Sequence, residues 1–310
     1  MKARIFIDGA VGTTGLQIKS RLDKRDDLEL VHLPDHLRKD DQARSDMLNS
    51  VDVAILCLPD AAAVDAAQMI TSSSVKIIDA SSAHRVAENW AYGFAELNVG
   101  QRDIIFNATR VSNPGCYALA SVAMLNPLLS KGIIERNHPV TINAISGYSG
   151  GGKPLIADFE NGSDVDTPFF VYGLNLHHKH VPEIQTHSGL KHRPVFVPSV
   201  GHFAQGMIVQ LPIPLWSLTS GAKVQDIHGA LKDHYADQQF VTVVDLQKTE
   251  SMPRLEPEWV NNTNELRLHV FNADDQVVVM ALLDNLGKGA SGSCVQNLNI
   301  MLGLNEGTGL

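Results

Sequence analysis

The opening of the chain constrains its fold more than any other feature, because a short apolar run leads into a glycine-rich turn and then an amphipathic segment. Residues 4–7 are β-prone, residues 9–15 form the turn, and Leu16, Ile18 and Leu22 follow at helical spacing. A strand, a loop and a helix in this order place backbone amides and the positive end of a helix dipole where a pyrophosphate can bind. Two residues separate the first two glycines, which departs from the G-x-G-x-x-G spacing. A glycine turn without a ligand is therefore the alternative.

Apolar runs recur along the first third of the chain, with helix-compatible segments such as residues 61–70 between several of them. This alternation predicts a parallel sheet that is covered by helices on both faces. The strands predicted after the first are residues 28–33, 51–58, 75–78 and 104–106.

The pattern changes after residue 112. A helical segment at residues 116–131 is followed by longer β runs, most of which lack an intervening helix. We expect a second domain on a largely antiparallel or mixed sheet, with residues 227–235 as one covering helix. A closing helical segment at residues 291–302 could return to the first domain. The strands predicted for the second domain are residues 140–145, 195–200, 207–213, 240–244, 266–271 and 277–283.

The predicted fold class is therefore α/β, with a Rossmann-type dinucleotide-binding domain joined to an α+β catalytic domain. We assign the dinucleotide-binding domain to residues 1–112, completed by the C-terminal helix at residues 285–310. Residues 113–284 form the predicted catalytic and oligomerisation domain.

Composition narrows the class of ligand. The 310 residues carry a formal net charge of −9, which gives no electrostatic reason to bind nucleic acid or an anionic membrane. Three cysteines are too few for a disulfide framework. No stretch approaches the roughly 20 apolar residues that span a bilayer, and the chain opens on a strand pattern rather than a secretory leader. We expect a cytoplasmic protein with a small-molecule substrate.

The end of the second predicted strand indicates which dinucleotide binds. An acidic residue there would accept the ribose hydroxyls of NAD, whereas a His-Leu-Pro run ends the strand at residues 32–34. Arg38 and Lys39 follow, which favours the 2′-phosphate of NADP(H). The alternatives are NAD, because Asp35 lies nearby, and a loop whose cations only meet solvent.

One of the three cysteines has the setting of a nucleophile. Cys57 lies within a strand pattern and Cys294 in the closing helix, where thiols serve as small buried apolar groups. Cys116 instead follows an Asn-Pro-Gly turn that leads into a helix. The positive end of the helix dipole favours the thiolate there, which is the reactive form. A buried, inert thiol is the alternative.

A histidine-rich segment offers a proton carrier. It contains His177, His178 and His180, and a cationic side chain there could lower the pKa of a thiol or exchange protons. In an extended segment His178 and His180 would face the same side. No cysteine or carboxylate cluster in the sequence completes a metal site, so no metal is expected. A solvated loop is the alternative.

Three motifs follow one another in the chain: the glycine turn, Asn-Pro-Gly-Cys-Tyr at residues 113–117 and His-Lys-His-Val-Pro-Glu-Ile at residues 178–184. Together they resemble the N-acetyl-gamma-glutamyl-phosphate reductase family, in the shorter of its two forms, over almost the whole chain. Residues 79–85, 146–153 and 284–297 are similar to that family's substrate segment, glycine-rich active-site loop and cofactor-side closing motif.

Two departures from the commoner family pattern stand out. Ala118 occupies a position where proline often follows the Cys-Tyr pair, and residues 80–84 replace a Leu-Ser-Ala-Asp-Phe run. Neither departure removes a reacting group. The second leaves open which of Ser81 and Ser82 contacts the substrate.

The resemblance implies that Cys116 is the nucleophile and His180 its acid–base partner. By position, the Cys116 amide or the Asn113 side chain is a candidate donor to an oxyanion. For Arg110, the alternative to substrate binding is a structural role at the surface. The candidate substrate-binding residues are Asn113, Arg85, Arg110, Ser81, Ser82, Ser146, His178 and Glu183. The candidate cofactor-binding residues are Gly9, Gly12, Thr13, Thr14, Gly15, Arg38, Ser149, Gly150 and Asn285.

The reaction that the resemblance implies is the NADPH-dependent reduction of N-acetyl-γ-glutamyl phosphate to N-acetylglutamate semialdehyde, a step of arginine biosynthesis. Cys116 would displace phosphate and form a thioester that accepts a hydride. The family also implies a homo-oligomer, either a dimer or a tetramer. The alternatives are an aspartate-semialdehyde dehydrogenase, against which residues 178–184 argue, a non-catalytic dinucleotide sensor, and a cysteine hydrolase, which would leave the glycine turn unexplained.

Overall fold

The chain passes four times between two units in the computed structural model, which describes residues 2–160 and 167–310. The first unit comprises the described residues up to Ala95, Val99–Pro114 and Ala290–Leu310. The second unit comprises Glu96–Asn98 and the described residues of Gly115–Gly289. The units therefore differ from the predicted domains at residues 96–98 and 285–289, which belong to the second unit, and at residues 113–114, which belong to the first.

The first unit is built on a six-stranded sheet in which every pair of neighbouring strands is parallel, as predicted. Its strands are β1 (Ala3–Asp8), β2 (Leu28–Val31), β3 (Val53–Leu56), β4 (Lys76–Asp79), β5 (Ala91–Tyr92) and β6 (Arg110–Ser112). Their spatial order is β2-β1-β3-β4-β6-β5. The connections leave β1 in opposite directions along the sheet, which creates the crevice where doubly wound folds bind ligands.

Helices cover both faces of this sheet, which confirms the second part of the prediction. Alternate side chains of a strand point to opposite faces, so Ile5 joins one apolar core with Ile18, and Phe6 joins another with Leu48 and Ala66. The first helices are α1 (Thr13–Leu22), α2 (Asp41–Leu48), α3 (Asp60–Met69) and α4 (Gln101–Asn107), with a short 3₁₀ helix at Asp35–Leu37.

One predicted strand is wrong, because residues 104–106 lie in α4. Gly100 caps the start of this helix with a φ of +84°, a conformation that favours glycine. Ile105 is buried, whereas Ile104 and Phe106 are exposed. A three-residue apolar run carries too little periodicity to separate a strand from one face of a helix.

The second unit contains a mixed sheet, as predicted. It has seven strands in the order β11-β12-β13-β10-β7-β9-β8, of which β8 was not predicted. Only the β7–β9 and β11–β12 pairs among its described strands are parallel. The strands are β7 (Thr141–Gly147), β8 (Phe169–Val171), β9 (Val195–Gly201), β10 (Met207–Pro214), β11 (Val241–Val243), β12 (Leu266–Ala273) and β13 (Gln276–Leu283).

An apolar helix at the start of this unit, α5, contacts the sheet and two further helices, α7 and α8. The helices are α5 (Cys116–Ser130), α6 (Gly152–Glu160), α7 (Val181–Ser188), α8 (Val224–His234) and α9 (Leu246–Glu250), with 3₁₀ helices at Tyr148–Gly151 and Leu215–Ser217. No helix in the described part of the chain is long and apolar enough to cross a membrane.

The last helix, α10 (Gly292–Met301), follows a π-helical turn at Gly287–Ser291 and completes the first unit. Val295 and Leu298 belong to the same apolar core as Ile5 and Val53. The C-terminal helix thus packs into the core of the first unit.

Candidate active site

The glycine turn after β1 brings backbone segments so close that side chains are excluded. A Cβ atom on Gly9 would lie 2.3 Å from the Cys57 carbonyl oxygen, and the residue has a φ of +88°. A Cβ on Gly15, inside α1, would lie 2.5 Å from the Gly9 carbonyl oxygen. The two glycines therefore allow strand, turn and helix to pack closely, as they do in pyrophosphate-binding turns.

The first turn of α1 is available to a ligand. Gly12 caps the helix without a side-chain bond, and Thr13 and Thr14 follow it. A cavity of about 710 Å³ adjoins the turn and is lined in part by Arg38 and Lys39. Its volume is in the range of small-molecule sites. Uncapped amides, a closely packed glycine turn and cationic lining side chains fit a phosphorylated dinucleotide.

A buried ion pair that the sequence did not reveal lies beside this turn. Two nitrogens of Arg44 lie 2.8 and 3.3 Å from one carboxylate oxygen of Asp8, the last residue of β1. The hydrogen bond to Asp8 raises the pKa of Arg44. Arg38, in contrast, is exposed and lies 3.4 Å from Asp35. Only its position at the end of an apolar strand could have pointed to Asp8.

The predicted substrate segment follows β4, where both of its serines donate to carboxylates. The Ser81 hydroxyl donates to Asp79 at 2.7 Å, and the Ser82 hydroxyl donates to Asp60 at 2.7 Å. Asp79 is fully buried and also accepts a bond from Nδ1 of His84 at 2.6 Å. The serines hold this edge of the sheet in shape.

Each polar group of Asn113 forms a hydrogen bond to another residue of the first unit. Its amide donates to the Asp79 carbonyl at 2.7 Å, and its carbonyl accepts from Nε of Arg85 at 3.0 Å. Its side-chain nitrogen donates to the Ala290 carbonyl at 2.9 Å, and its side-chain oxygen accepts from Asn297 at 3.2 Å. The structure thus favours a positioning role for Asn113 over the predicted oxyanion donation.

Arg110 lies at the amino end of β6, whereas Asn113 follows the carboxyl end of the same strand. Its side chain is exposed, and its guanidinium carbon lies 5.8 Å from the centroid of the Trp90 ring. Ligands of parallel sheets bind at the carboxyl edge. The structure therefore favours the surface role for Arg110 over substrate binding.

In the second unit, Cys116 is the first residue of α5 and is half-exposed, while the residues on either side of it are buried. Gly115 caps the helix, and its amide donates to the Glu183 carboxylate at 2.8 Å. A Cβ on Gly289 would lie 2.7 Å from the Cβ of Cys116, so only glycine fits beneath the thiol. The start of the helix that favours a thiolate is thus fixed from two directions.

Glu183 ties the helix that follows His180 to the turn before Cys116. The segment before α7 is not extended, as the sequence analysis assumed, because Leu176 has a φ of +59° and His180 caps α7. His178 and His180 are nevertheless brought together, with ring centroids 4.8 Å apart. The His180 ring is buried and lies 5.8 Å from the Tyr117 ring.

A chain of hydrogen bonds fixes the tautomer of His178. Its Nδ1 accepts from the His180 amide at 3.1 Å, so the proton lies on Nε2, which is 3.4 Å from the Tyr172 hydroxyl. Tyr172 donates to the Tyr117 hydroxyl at 3.3 Å, which donates to the Ser199 carbonyl at 3.2 Å. Burial, with a smaller contribution from the nearby Cys116, raises the pKa of Tyr172 to about 12 although the hydrogen bond with Tyr117 lowers it. The sequence offered no signal for either tyrosine hydroxyl.

The other predicted residues of the second unit support the backbone around this cluster. Ser146 is buried and donates to the Gly147 carbonyl, and Gly150 is exposed. The Asn285 side chain donates to the Ser149 hydroxyl at 3.0 Å and accepts from the Gly206 amide at 2.8 Å. Asn285 thus connects separate segments of the second unit, which explains why it does not belong to the first.

The remaining thiols are unsuited to nucleophilic chemistry. Burial raises the pKa of Cys57 to about 12 and raises that of Cys294 well above its usual value. Cys57 follows the end of β3 rather than lying within it.

Comparison with known proteins gives this arrangement a class. Residues 36–105 match the family model described as "Semialdehyde dehydrogenase, NAD binding domain", and residues 116–285 match "Semialdehyde dehydrogenase, dimerisation domain". Aspartate semialdehyde dehydrogenase II of Vibrio cholerae, complexed with ASA, has a TM-score of 0.71 at 14% identity and covers 97% of this chain and 98% of its own. The NADP complex of the enzyme from Candida albicans has a TM-score of 0.67 at 14% identity and covers 97% and 99%. Fold and site together define a protein of the semialdehyde dehydrogenase type.

Curated sequences narrow the class further. N-acetyl-gamma-glutamyl-phosphate reductase 2 of Nostoc sp. strain PCC 7120 is 52% identical over 100% of this chain and 99% of its own length. The protein of that name from Brucella suis strain ATCC 23445 is 50% identical over 98% of this chain and all of its own length. The chain belongs to the N-acetyl-gamma-glutamyl-phosphate reductase family.

Proposed function

We propose that the chain reduces N-acetyl-γ-glutamyl phosphate to N-acetylglutamate semialdehyde with NADPH, releases phosphate, and serves arginine biosynthesis. The observation that carries the proposal is the position of the half-buried Cys116 at the start of α5, after a turn whose Gly115 amide donates to Glu183. The names of relatives that are 50–52% identical support the substrate. The name of the matched family domain supports assembly as a homo-oligomer through the second unit.

Cys116 attacks the γ-carbonyl carbon as a thiolate, so that a carbon–sulfur bond forms, the bond to the phosphate oxygen breaks, and phosphate leaves. The His180 imidazole takes the thiol proton before attack and returns it when the product leaves. The Cys116 amide, at the start of a helix, is the candidate donor to the oxygen that becomes negative.

Bound NADPH supplies the hydride that reduces the thioester carbon. The chain's own contribution to that step is to hold the dinucleotide on the glycine turn and on the cavity lined by Arg38 and Lys39. The high pKa values of Tyr117 and Tyr172 keep both hydroxyls protonated, so they orient His178 without exchanging protons with the substrate.

The test is an assay in the reverse direction, with the semialdehyde, phosphate and NADP, in which the formation of NADPH is followed by its absorbance. Wild-type protein should turn over, and Cys116→Ser should lose about a thousandfold or more of kcat. Cys294→Ala, which removes a buried thiol of α10, is the matched control and should remain active. Undiminished turnover by Cys116→Ser would overturn the mechanism.

A panel of substrates separates this proposal from its relatives. Replacing the semialdehyde by aspartate semialdehyde should abolish most turnover, and replacing NADP by NAD should weaken it. Preference for aspartate semialdehyde would instead assign the chain the activity named in its structural neighbours.

A further inference from the structure

An acidic residue lies beside the end of β2, although the sequence of that strand contains none there. NAD-binding folds use an acid at the end of the second strand to accept the ribose hydroxyls. β1 and β2 are parallel neighbours with Phe6 opposite Val31, so Asp8, at the end of β1, lies beside the residues that follow β2. Asp8 also lines the cavity next to the glycine turn. A carboxylate of the neighbouring strand thus borders the cavity in which we place the dinucleotide.

Arg44 neutralises this carboxylate. Its Nη2 and Nε atoms lie 2.8 and 3.3 Å from Oδ2 of Asp8, and its Nη1 atom lies 3.3 Å from Asp41. The side chains of Asp8 and Arg44 are 7% and 13% exposed, so salt and water screen their attraction little. The pair therefore adds no net charge to the cavity wall, where an unpaired carboxylate would repel a phosphate.

The remaining charges of the cavity lining favour an anion. Among the described residues of the lining, Asp35 is the one other carboxylate, and it lies 3.4 Å from Arg38. Lys39 also lines the cavity, and it forms no ion pair with any residue in the described part of the chain. With both carboxylates paired, Lys39 is a cation available to the 2′-phosphate, and Arg44 keeps Asp8 from opposing it.

We propose that the Asp8–Arg44 pair selects the phosphorylated dinucleotide, because Arg44 cancels a carboxylate that would otherwise repel the 2′-phosphate and accept the ribose hydroxyls of NAD(H). Arg44 is thus a positioning residue that acts through Asp8. All of these residues lie in the first unit. The inference rests on the use of NADP(H) in the proposed function, but its test requires no acyl phosphate and no turnover.

The experiment measures the dissociation constants of NADPH and NADH from the change in nicotinamide fluorescence on binding. Arg44→Gln removes the cation and leaves Asp8 unpaired. It should weaken the binding of NADPH roughly 10- to 100-fold and change that of NADH less than about threefold. Adenosine 2′,5′-bisphosphate and AMP, measured by calorimetry, should show the same difference, because only the first carries a 2′-phosphate.

Removing the carboxylate as well separates charge from structure. The double variant Asp8→Asn/Arg44→Gln leaves no charge unpaired, so it should bind NADPH within about threefold of the wild type. Arg44→Lys keeps a cation beside Asp8 and should retain most of the preference for NADPH. The matched control is Arg102→Gln, which breaks an arginine–carboxylate pair of the first unit, 3.0 Å from Glu306, outside the cavity lining. It should bind both dinucleotides as the wild type does.

The inference is overturned if Arg44→Gln weakens both dinucleotides alike, if it changes neither, or if the double variant binds NADPH no better than Arg44→Gln does. The last result would mean that Arg44 contacts the phosphate itself. Should Arg44→Gln fail to fold, Arg44→Lys and the double variant decide, because both must retain the preference for NADPH.

The wild type separates this inference from the proposed function. Equal affinity of the wild type for NADPH and NADH would overturn the inference and leave the reductase reaction to the turnover assay. A wild type that binds neither dinucleotide would overturn the proposed function and this inference with it.

Discussion

At the scale of single residues, the surroundings of each thiol decide which one reacts. Because burial raises the pKa of Cys57 to about 12, roughly one molecule in ten thousand carries that thiolate at about pH 8. Iodoacetamide should therefore modify Cys116 and spare Cys57 and Cys294, as measured by peptide mass spectrometry. Denatured protein, in which all three are modified, is the control. Equal rates at Cys57 and Cys116 in the folded protein would contradict the assignment.

Two glycines of the second unit should respond in opposite ways to a methyl group. Gly289→Ala would press its Cβ to 2.7 Å from Cys116, so we expect a loss of about 1–3 kcal/mol in the free energy of unfolding and a slower enzyme. Gly229 lies inside α8 with no atom within 4 Å of the added Cβ. Gly229→Ala should stabilise the protein by about 0.5–1 kcal/mol without changing kcat. Urea unfolding and turnover test both, and equal effects would refute the proposed fit beneath the thiol.

Local pattern was enough to select Cys116, because its signal lies in the five residues around it. The role of Asn113 was not accessible in this way. Its side-chain partners, Ala290 and Asn297, lie 177 and 184 positions later in the chain. The same is true of Glu183, which reaches the Gly115 amide across 68 positions. Hydrogen bonds that join distant segments leave no periodicity in a sequence.

At the scale of elements, β12 contains a histidine whose pKa predicts a loss of stability in acid. Burial, followed by the charge of Arg267, lowers the pKa of His269 from 6.5 to about 4. Below pH 6.5 the unfolded chain binds a proton that the folded one refuses until about pH 4, so stability falls across this window. The loss is at most about 3 kcal/mol.

The measurement is the free energy of unfolding by urea at several pH values between 6.5 and about 4. His269→Gln should flatten the dependence on pH. His228→Gln, in α8, is the matched control and should keep the wild-type slope. An unchanged slope in His269→Gln would show that other groups cause the loss.

Long helices and strands could be predicted from the sequence, and short ones could not. The segments that became α5, β12 and β13 each span at least eight residues, and their pattern was read correctly. The two residues of β5 and the three of β6 are too few to show alternation. The π-helical turn at Gly287–Ser291 has no local signature either, because its shape follows from the close packing of Gly287 and Gly289.

At the scale of the whole molecule, the chain leaves the first unit for three residues, Glu96–Asn98, which belong to the second unit. Glu96 and Lys288 are both almost fully buried, and the ammonium nitrogen lies 2.8 Å from the carboxylate. The ammonium group also lies 5.5 Å from the centroid of the Phe240 ring. A buried ion pair of this kind favours the arrangement of the chain in which both charges are paired, because burying either charge alone is strongly unfavourable.

Glu96→Leu or Lys288→Met alone should cost about 3–5 kcal/mol in the free energy of unfolding. The double variant should be less destabilised than either single variant, because it leaves no unpaired charge behind. Urea unfolding of the four proteins gives the coupling energy. Additive losses would show that the two side chains act independently.

The position of α10 has a consequence for synthesis. Val295 and Leu298 complete the core around Ile5 and Val53, yet a ribosome must first translate the long stretch that forms most of the second unit. At about 5–20 residues per second, β1 waits for roughly tens of seconds with part of one apolar face uncovered. The nascent chain therefore exposes apolar surface in the part that is made first until α10 follows, which is the kind of surface that promotes aggregation.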